Sequence, residues 1–138
     1  MESILVIDDD KTVQGIIKSM LEGGGYRVSV IADGRRGMAA LERGQFDLVI
    51  VDIFMPAMDG FETIQAIRQR RPDLPIIVIS GFSVHQAAGA GPDFLAMAMK
   101  LGAWRSLRKP FRPDELMTAI ESCLAERNRR VVASVAAE

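Results

Sequence analysis

Four strand-like runs of this 138-residue chain, three of them apolar throughout, end in residues that can do chemistry. Asp8 and Asp9 follow Ile4-Leu5-Val6-Ile7, Asp52 follows Leu48-Val49-Ile50-Val51, Ser80 follows Ile76-Ile77-Val78-Ile79, and Lys109 follows residues 104–108. Short β-branched runs of this kind read as parallel strands covered on both faces, and open α/β sheets collect ligands beyond the carboxyl ends of such strands. Three carboxylates brought to one edge repel one another and need a cation to stay ionised. Mg²⁺ suits the set, because it prefers hard oxygen ligands, keeps several waters and binds phosphate oxygens; no histidine or thiolate is present in the set for zinc. The chemistry within reach is attack of a carboxylate on a metal-neutralised phosphoryl group, with a hydroxyl and a lysine completing the cage around its oxygens. Any one of these acids can simply cap a helix, Ser80 can end a strand, and Lys109 can be a surface charge. Four strand ends contributing to one edge is what argues for a site.

The elements that must position these residues alternate along the chain. A strand over 3–7 leads to a helix in which Val13, Ile16, Ile17, Met20 and Leu21 form a core stripe and Asp10 is placed to cap the first turn. Gly23-Gly24-Gly25 ends that helix; following a helix rather than a strand, it is on the wrong side for a phosphate cradle. A strand over 26–31, a helix opened by Asp33-Gly34 and closed by Gly44, and the strand carrying Asp52 come next. Pro56 and Gly60 mark a loop, and Phe61, Ile64 and Ile67 repeat at helical spacing. Beyond the breaker Arg71-Pro72-Asp73-Leu74-Pro75 and the strand ending at Ser80, residues 81–92 form a long loop in which His85 reads as solvated. A helix over 93–101 uses Met97 and Met99 for packing. The fifth strand, 104–108, is polar at alternate positions and belongs at a sheet edge, with Trp104, Ser106 and Arg108 on one side. A last amphipathic helix covers 114–127, leaving 128–138 as a short tail with no output domain. Helices between consecutive strands require right-handed crossovers, which makes the fold a three-layer (βα)5 doubly wound parallel sheet in one domain, 1–127.

Composition narrows the function classes. Hydrophobic content of 49%, charged content of 25% and a net charge of −1 fit a soluble globular chain with no general attraction to nucleic acid or anionic membrane. The single cysteine, Cys123, cannot form an internal disulfide and reads as a small buried hydrophobe. No charged leader or long apolar stretch stands before the first strand, so the cytoplasm is the expected location.

Ile4-Leu5-Val6-Ile7-Asp8-Asp9-Asp10, Asp52 with Met55-Pro56-Ala57-Met58-Asp59-Gly60, Leu101-Gly102-Ala103 and Lys109-Pro110-Phe111 together resemble the receiver domain of two-component response regulators, a CheY-like, flavodoxin-like fold. The resemblance implies strand order 2-1-3-4-5, the order for which a member of this family is a standard example. It implies Asp52 as phosphoacceptor from a histidine kinase or phosphotransfer protein, and Asp8, Asp9, Asp52 and the backbone carbonyl of Phe54 as Mg²⁺ ligands. Ser80 is then the hydroxyl and Lys109 the cation on the phosphoryl group, with a cis Lys109–Pro110 bond. The kinase would dock near Thr12, Val13, Pro110 and Phe111, and output would pass to a separate, unknown downstream protein. Such a domain assists its own phosphorylation and dephosphorylation and is not a turnover enzyme. Two departures stand out: Ser106 occupies a position usually held by an aromatic, and 81–92 is longer than usual. An aspartate-nucleophile phosphatase would want a second aspartate where Phe54 stands, and a flavodoxin-like cofactor carrier would not put three acids after its first strand. The remaining alternative is a receiver-like interaction module that works without phosphorylation.

Overall fold

The computed structural model describes residues 1–53, 60–81 and 94–137, with side chains as far as 135. Among these, strands and helices alternate: β1 (Ser3–Ile7), α1 (Lys11–Gly23), β2 (Arg27–Ile31), α2 (Gly34–Arg43), β3 (Leu48–Asp52), α3 (Gly60–Arg70), β4 (Ile76–Ser80), α4 (Phe94–Leu101), β5 (Arg105–Arg108) and α5 (Pro113–Ala137). The five strands are all parallel, in the order β2-β1-β3-β4-β5. This is the doubly wound order that the sequence resemblance implies.

The apolar runs explain the layering. Every residue of β3 and β4 is buried, because a central parallel strand has a helix on each face and no side open to water. Alternation then divides the core in two. Leu5, Ile7, Val49, Val51, Ile76 and Val78 face Leu41, Ile64, Ile67 and Ala98 of α2, α3 and α4. Ile4, Val6, Leu48, Ile50, Ile77 and Ile79 face Ile17, Leu21, Leu116, Ile120 and Cys123 of α1 and α5. Burial pushes the Cys123 thiol above its usual range, which leaves it packed and unreactive. Asp10 accepts the Thr12 and Val13 amides at the start of α1, and Asp33 accepts the Arg36 amide at the start of α2.

Several expectations need correction. Ile16 is 56% exposed; Ile17 and Leu21 alone of the stripe are fully buried, and Ile16, one residue round the helix from Ile17, points along the surface. Met97 and Met99 lie on the outer side of α4, with Ala98 buried between them. The last helix runs ten residues past Arg127, to Ala137. Residues 128–137 contain neither glycine nor proline, and their arginines and alanines propagate a helix without any core to face. Trp104 precedes β5 and packs on the α5 side of the sheet, with the Arg130 guanidinium 4.2 Å from its ring centroid. Ser106 is paired in register with Val78, whose side chain faces α3 and α4. Trp104 and Ser106 therefore lie on opposite faces, because the strand alternation begins only after Trp104.

Candidate functional site

Sheet register brings the strand ends to one level. Ile7 pairs with Val51 and Asp52 with Ile79, so Asp8 and Asp52 continue neighbouring strands side by side; Ser80 pairs with Arg108, and Lys109 follows. The loop closures hold this edge. The Asp8 amide donates to the Ile31 carbonyl at 3.0 Å and the Ile53 amide to the Ile79 carbonyl at 3.1 Å. The Lys109 amide donates to the Ser80 carbonyl at 2.7 Å, and the Lys109–Pro110 peptide is cis. At the base of α3, the Gly60 amide donates to the Ile53 carbonyl at 3.2 Å.

Carboxylate oxygens of Asp8, Asp9 and Asp52 lie within 4.8 Å of one another. Asp8 is fully buried, Asp52 is 5% exposed and Asp9 faces solvent. Lys109 reaches into the group: its Nζ is 3.2 Å from Asp8 Oδ2 and 3.7 Å from Asp52 Oδ2. Asp8 is further fixed by the Asp10 amide, which donates to its Oδ1 at 2.9 Å. The Gln14 side-chain amide donates to the Asp8 carbonyl. Buried Ser80 donates its hydroxyl to the Gly81 carbonyl at 3.1 Å.

The structure thus brings Asp8, Asp9, Asp52 and Lys109 together and sets Ser80 on the strand beside Asp52. Phe54, the loop 82–92 and His85 lie outside the described residues. Among the described residues one ammonium stands beside three carboxylates, two of them buried, and the donors are hard oxygens. Such a pocket fits a hard divalent cation, which supplies the missing positive charge and prefers these ligands. Gln14 was not singled out in the sequence, where it reads as a surface position of an amphipathic helix. Ile16 was assigned to the core; with Val13, Ile17, Met20, Lys109, Pro110, Phe111 and Pro113 it lines an apolar groove of about 340 Å³ beside the acidic pocket. Its signal was an apolar residue too many for one helical stripe.

Residues 4–121 match the model of the response regulator receiver domain. The chain belongs to that family. It is 34% identical over 122 residues to the transcriptional regulatory protein ZraR of Klebsiella oxytoca, covering 88% of this chain and 26% of that protein. It is 33% identical over 119 residues to the transcriptional regulatory protein TcrA of Mycobacterium tuberculosis, covering 86% of this chain and 44% of that one. The receiver chain thus spans between a quarter and a half of these relatives' length. Among solved structures, the chemotaxis protein CheY4 of Vibrio cholerae superposes with a TM-score of 0.78 at 29% identity, covering 89% of this chain and 98% of that one. Among the described residues, no helix of this receiver is long and apolar enough to cross a membrane.

Proposed function

We propose that this receiver is a phosphorylation-dependent switch whose Asp52 takes a phosphoryl group from a histidine kinase or phosphotransfer protein. In the reaction an Asp52 carboxylate oxygen attacks the phosphorus of a phosphohistidine. The O–P bond forms as the P–N bond breaks, and the imidazole leaves with the electron pair and takes up a proton. Asp8, Asp9 and Asp52, with the Phe54 carbonyl, would hold Mg²⁺, which when bound neutralises charge on the phosphoryl oxygens. Lys109, now paired with Asp8 and Asp52, exchanges the Asp52 contact for a phosphoryl oxygen, and Ser80 turns its hydroxyl from the Gly81 carbonyl to another. The chain has no turnover chemistry of its own beyond adding and losing this group. Its output is a protein contact made in the cytoplasm.

The observation that supports this reading is the pairing of a buried nucleophile with a lysine and two further acids at one sheet edge. The test is incubation with acetyl phosphate and Mg²⁺ followed by intact-mass measurement. The chain should gain one phosphoryl group, Asp52→Asn should gain none, and Asp59→Asn should still be labelled. Labelling of the Asp52→Asn variant refutes the assignment, and an unlabelled wild-type chain favours an interaction module that works without phosphate. The apolar groove between α1 and Lys109–Pro113 adjoins the pocket and suits kinase docking. Ile16→Asp should slow transfer from a phosphorylated histidine phosphotransfer domain while leaving acetyl phosphate labelling intact; equal loss of both would point to misfolding.

A further inference from the structure

The turn that carries the first two acids is held from α1 as well as from the sheet. The Asp8 amide donates to the Ile31 carbonyl at the end of β2 at 3.0 Å, and Asp8 Oδ1 accepts the Asp10 amide at 2.9 Å. The Asp8 carbonyl accepts from the side-chain amide of Gln14, the fourth residue of α1 and half-buried. A carbonyl accepts only from the NH₂ end of a glutamine amide, so the orientation of that side chain is settled by its partner. The helix in turn stands on the same residues: Asp10 caps it through the Thr12 and Val13 amides, and the Gln14 backbone amide donates to the Asp10 carbonyl at 2.9 Å. Gln14 therefore grips residues 8 and 10 at once, on either side of Asp9.

Asp9 is the acid that needs such a grip. Asp8 and Asp52 are buried and meet Lys109 at 3.2 and 3.7 Å, whereas Asp9 is exposed. Among the described residues no amide or side chain bonds to its carboxylate, so its direction is set by the backbone that carries it. The Asp8 carbonyl belongs to the planar peptide unit joining Asp8 to Asp9, which can turn only about ψ of the one residue and φ of the other. A donor held on that carbonyl stops the turning and aims the Asp9 carboxylate at its two neighbours. We propose that, with Mg²⁺ as the pocket's cation as in the proposed function, Gln14 is a positioning residue for Asp9 and sets the affinity and selectivity of the pocket for that ion. Gln14 is not a ligand, because its NH₂ group has no lone pair to give and is taken up by the Asp8 carbonyl. Partners that orient a metal's ligands are worth about 10–100-fold in affinity. Selectivity follows from the same constraint: Mg²⁺ demands near-ideal octahedral geometry, whereas Ca²⁺ tolerates a ligand that has swung out of line.

Thermal melting of the full chain in Mg²⁺ or Ca²⁺ from roughly 0.1 to 100 mM, at constant ionic strength, tests this, because a cation that binds only the folded chain raises the midpoint according to its Kd. Melting without added cation reports each variant's own stability, so a folding defect is read separately. Gln14→Met keeps the length and neutrality of the side chain and removes the donor. It should weaken Mg²⁺ by about tenfold and Ca²⁺ by only about twofold. With Asp9→Asn already in place, Gln14→Met should alter Mg²⁺ affinity by less than about twofold, since there is no carboxylate left to aim. A Gln14→Met chain that binds Mg²⁺ as wild type does, that loses Ca²⁺ by the same factor as Mg²⁺, or that loses as much Mg²⁺ affinity in the Asp9→Asn background overturns the proposal and leaves the metal reading standing. A wild-type melt indifferent to both cations overturns the metal reading and the proposal with it.

Discussion

Among the described residues Lys109 is the one cation beside three carboxylates, and replacing it with methionine tests the electrostatic account of the pocket. At an effective dielectric constant of about 20, its contacts of 3.2 and 3.7 Å to Asp8 and Asp52 correspond to attractions of about 5 and 4.5 kcal/mol. Asp8 and Asp52, with oxygens up to 4.8 Å apart, repel by about 3.5 kcal/mol on the same scale, while solvent around Asp9 reduces its share to about 1 kcal/mol. Among these three neighbours the repulsions and the attraction on Asp52 nearly cancel. Asp52→Asn should therefore change stability little when Lys109 is present. Lys109→Met removes the attractions and leaves two buried like charges; allowing for the 22% exposure of the lysine side chain and the desolvation it no longer suffers, the loss should be about 3 kcal/mol, near the range for breaking a buried pair. In that background Asp52→Asn should become stabilising, by about 2–3 kcal/mol. Urea unfolding of the four chains of the cycle measures this, and millimolar Mg²⁺ should stabilise Lys109→Met more than wild type. An Asp52→Asn effect of the same size and sign with and without Lys109 would refute the reasoning, because it would mean that these charges do not sense one another.

Four further outcomes follow from particular contacts. Gly60→Ala should destabilise by about 2 kcal/mol, against the usual helix preference for alanine, because the added Cβ would lie 2.2 Å from Ile53 Cα and 2.8 Å from the Asp52 carbonyl oxygen; a thermal melt at or above wild type contradicts this. Arg68→Met should cost about 2–3 kcal/mol, with Arg68→Lys recovering little, since the guanidinium donates to the carbonyls of Arg71, Pro72, Leu74 and Gly102 and an ammonium cannot span them; full rescue by lysine would show that charge alone matters. Burial opposes ionisation of Asp47, yet the Ser3 amide and the Arg127 guanidinium outweigh it and hold the carboxyl below its usual range; a depressed folded-state pKa contributes stability above the unfolded value of about 3.9 that is lost as pH falls through the folded one, so the gap between wild type and Asp47→Asn should close on acidification, and a gap that widens has the wrong sign. With the small Ser106 on the α4 side of β5, no ring is available there to swing inward, and beryllofluoride should change amide exchange most within 81–101; change confined to 104–108 would place the signal in the edge strand.

The fold was legible because the strongest sequence signals are also the ones that tertiary structure does not override. The runs ending at Ile7, Val51 and Ile79 are buried on both faces, so composition alone marks them, and the acids and serine that terminate them stand out against that background. Helical faces were less legible. Ile16 and Ile17 carry the same side chain one residue apart, and only the direction of α1 against the sheet decides that Ile17 is core and Ile16 lines the groove. The extension of α5 was missed because amphipathic periodicity fades after Arg127, although helix propensity continues; periodicity records burial, and propensity records whether the chain can stay helical without it. Trp104 was placed on the wrong face by a one-residue error in where alternation begins, which is enough to invert every assignment in a strand.

Stability and switching are assigned to opposite edges of the sheet. At the amino ends of the strands, arginines close the loops: Arg127 bridges to Asp47 before β3 at 2.8 Å, Arg71 donates to the Leu41 carbonyl, and Arg68 ties the turn before β4 to Gly102 before β5. Most of these bonds end on backbone carbonyls, which no change of metal or modification can displace. At the carboxyl ends Lys109 joins Asp8 and Asp52 through ionised side chains, contacts that can part without breaking a backbone bond. A net charge of −1 gives no sign of this division. On the proposed function, charge changes at the acidic edge while the arginine edge holds the strands in register, so that switching need not cost the fold its stability.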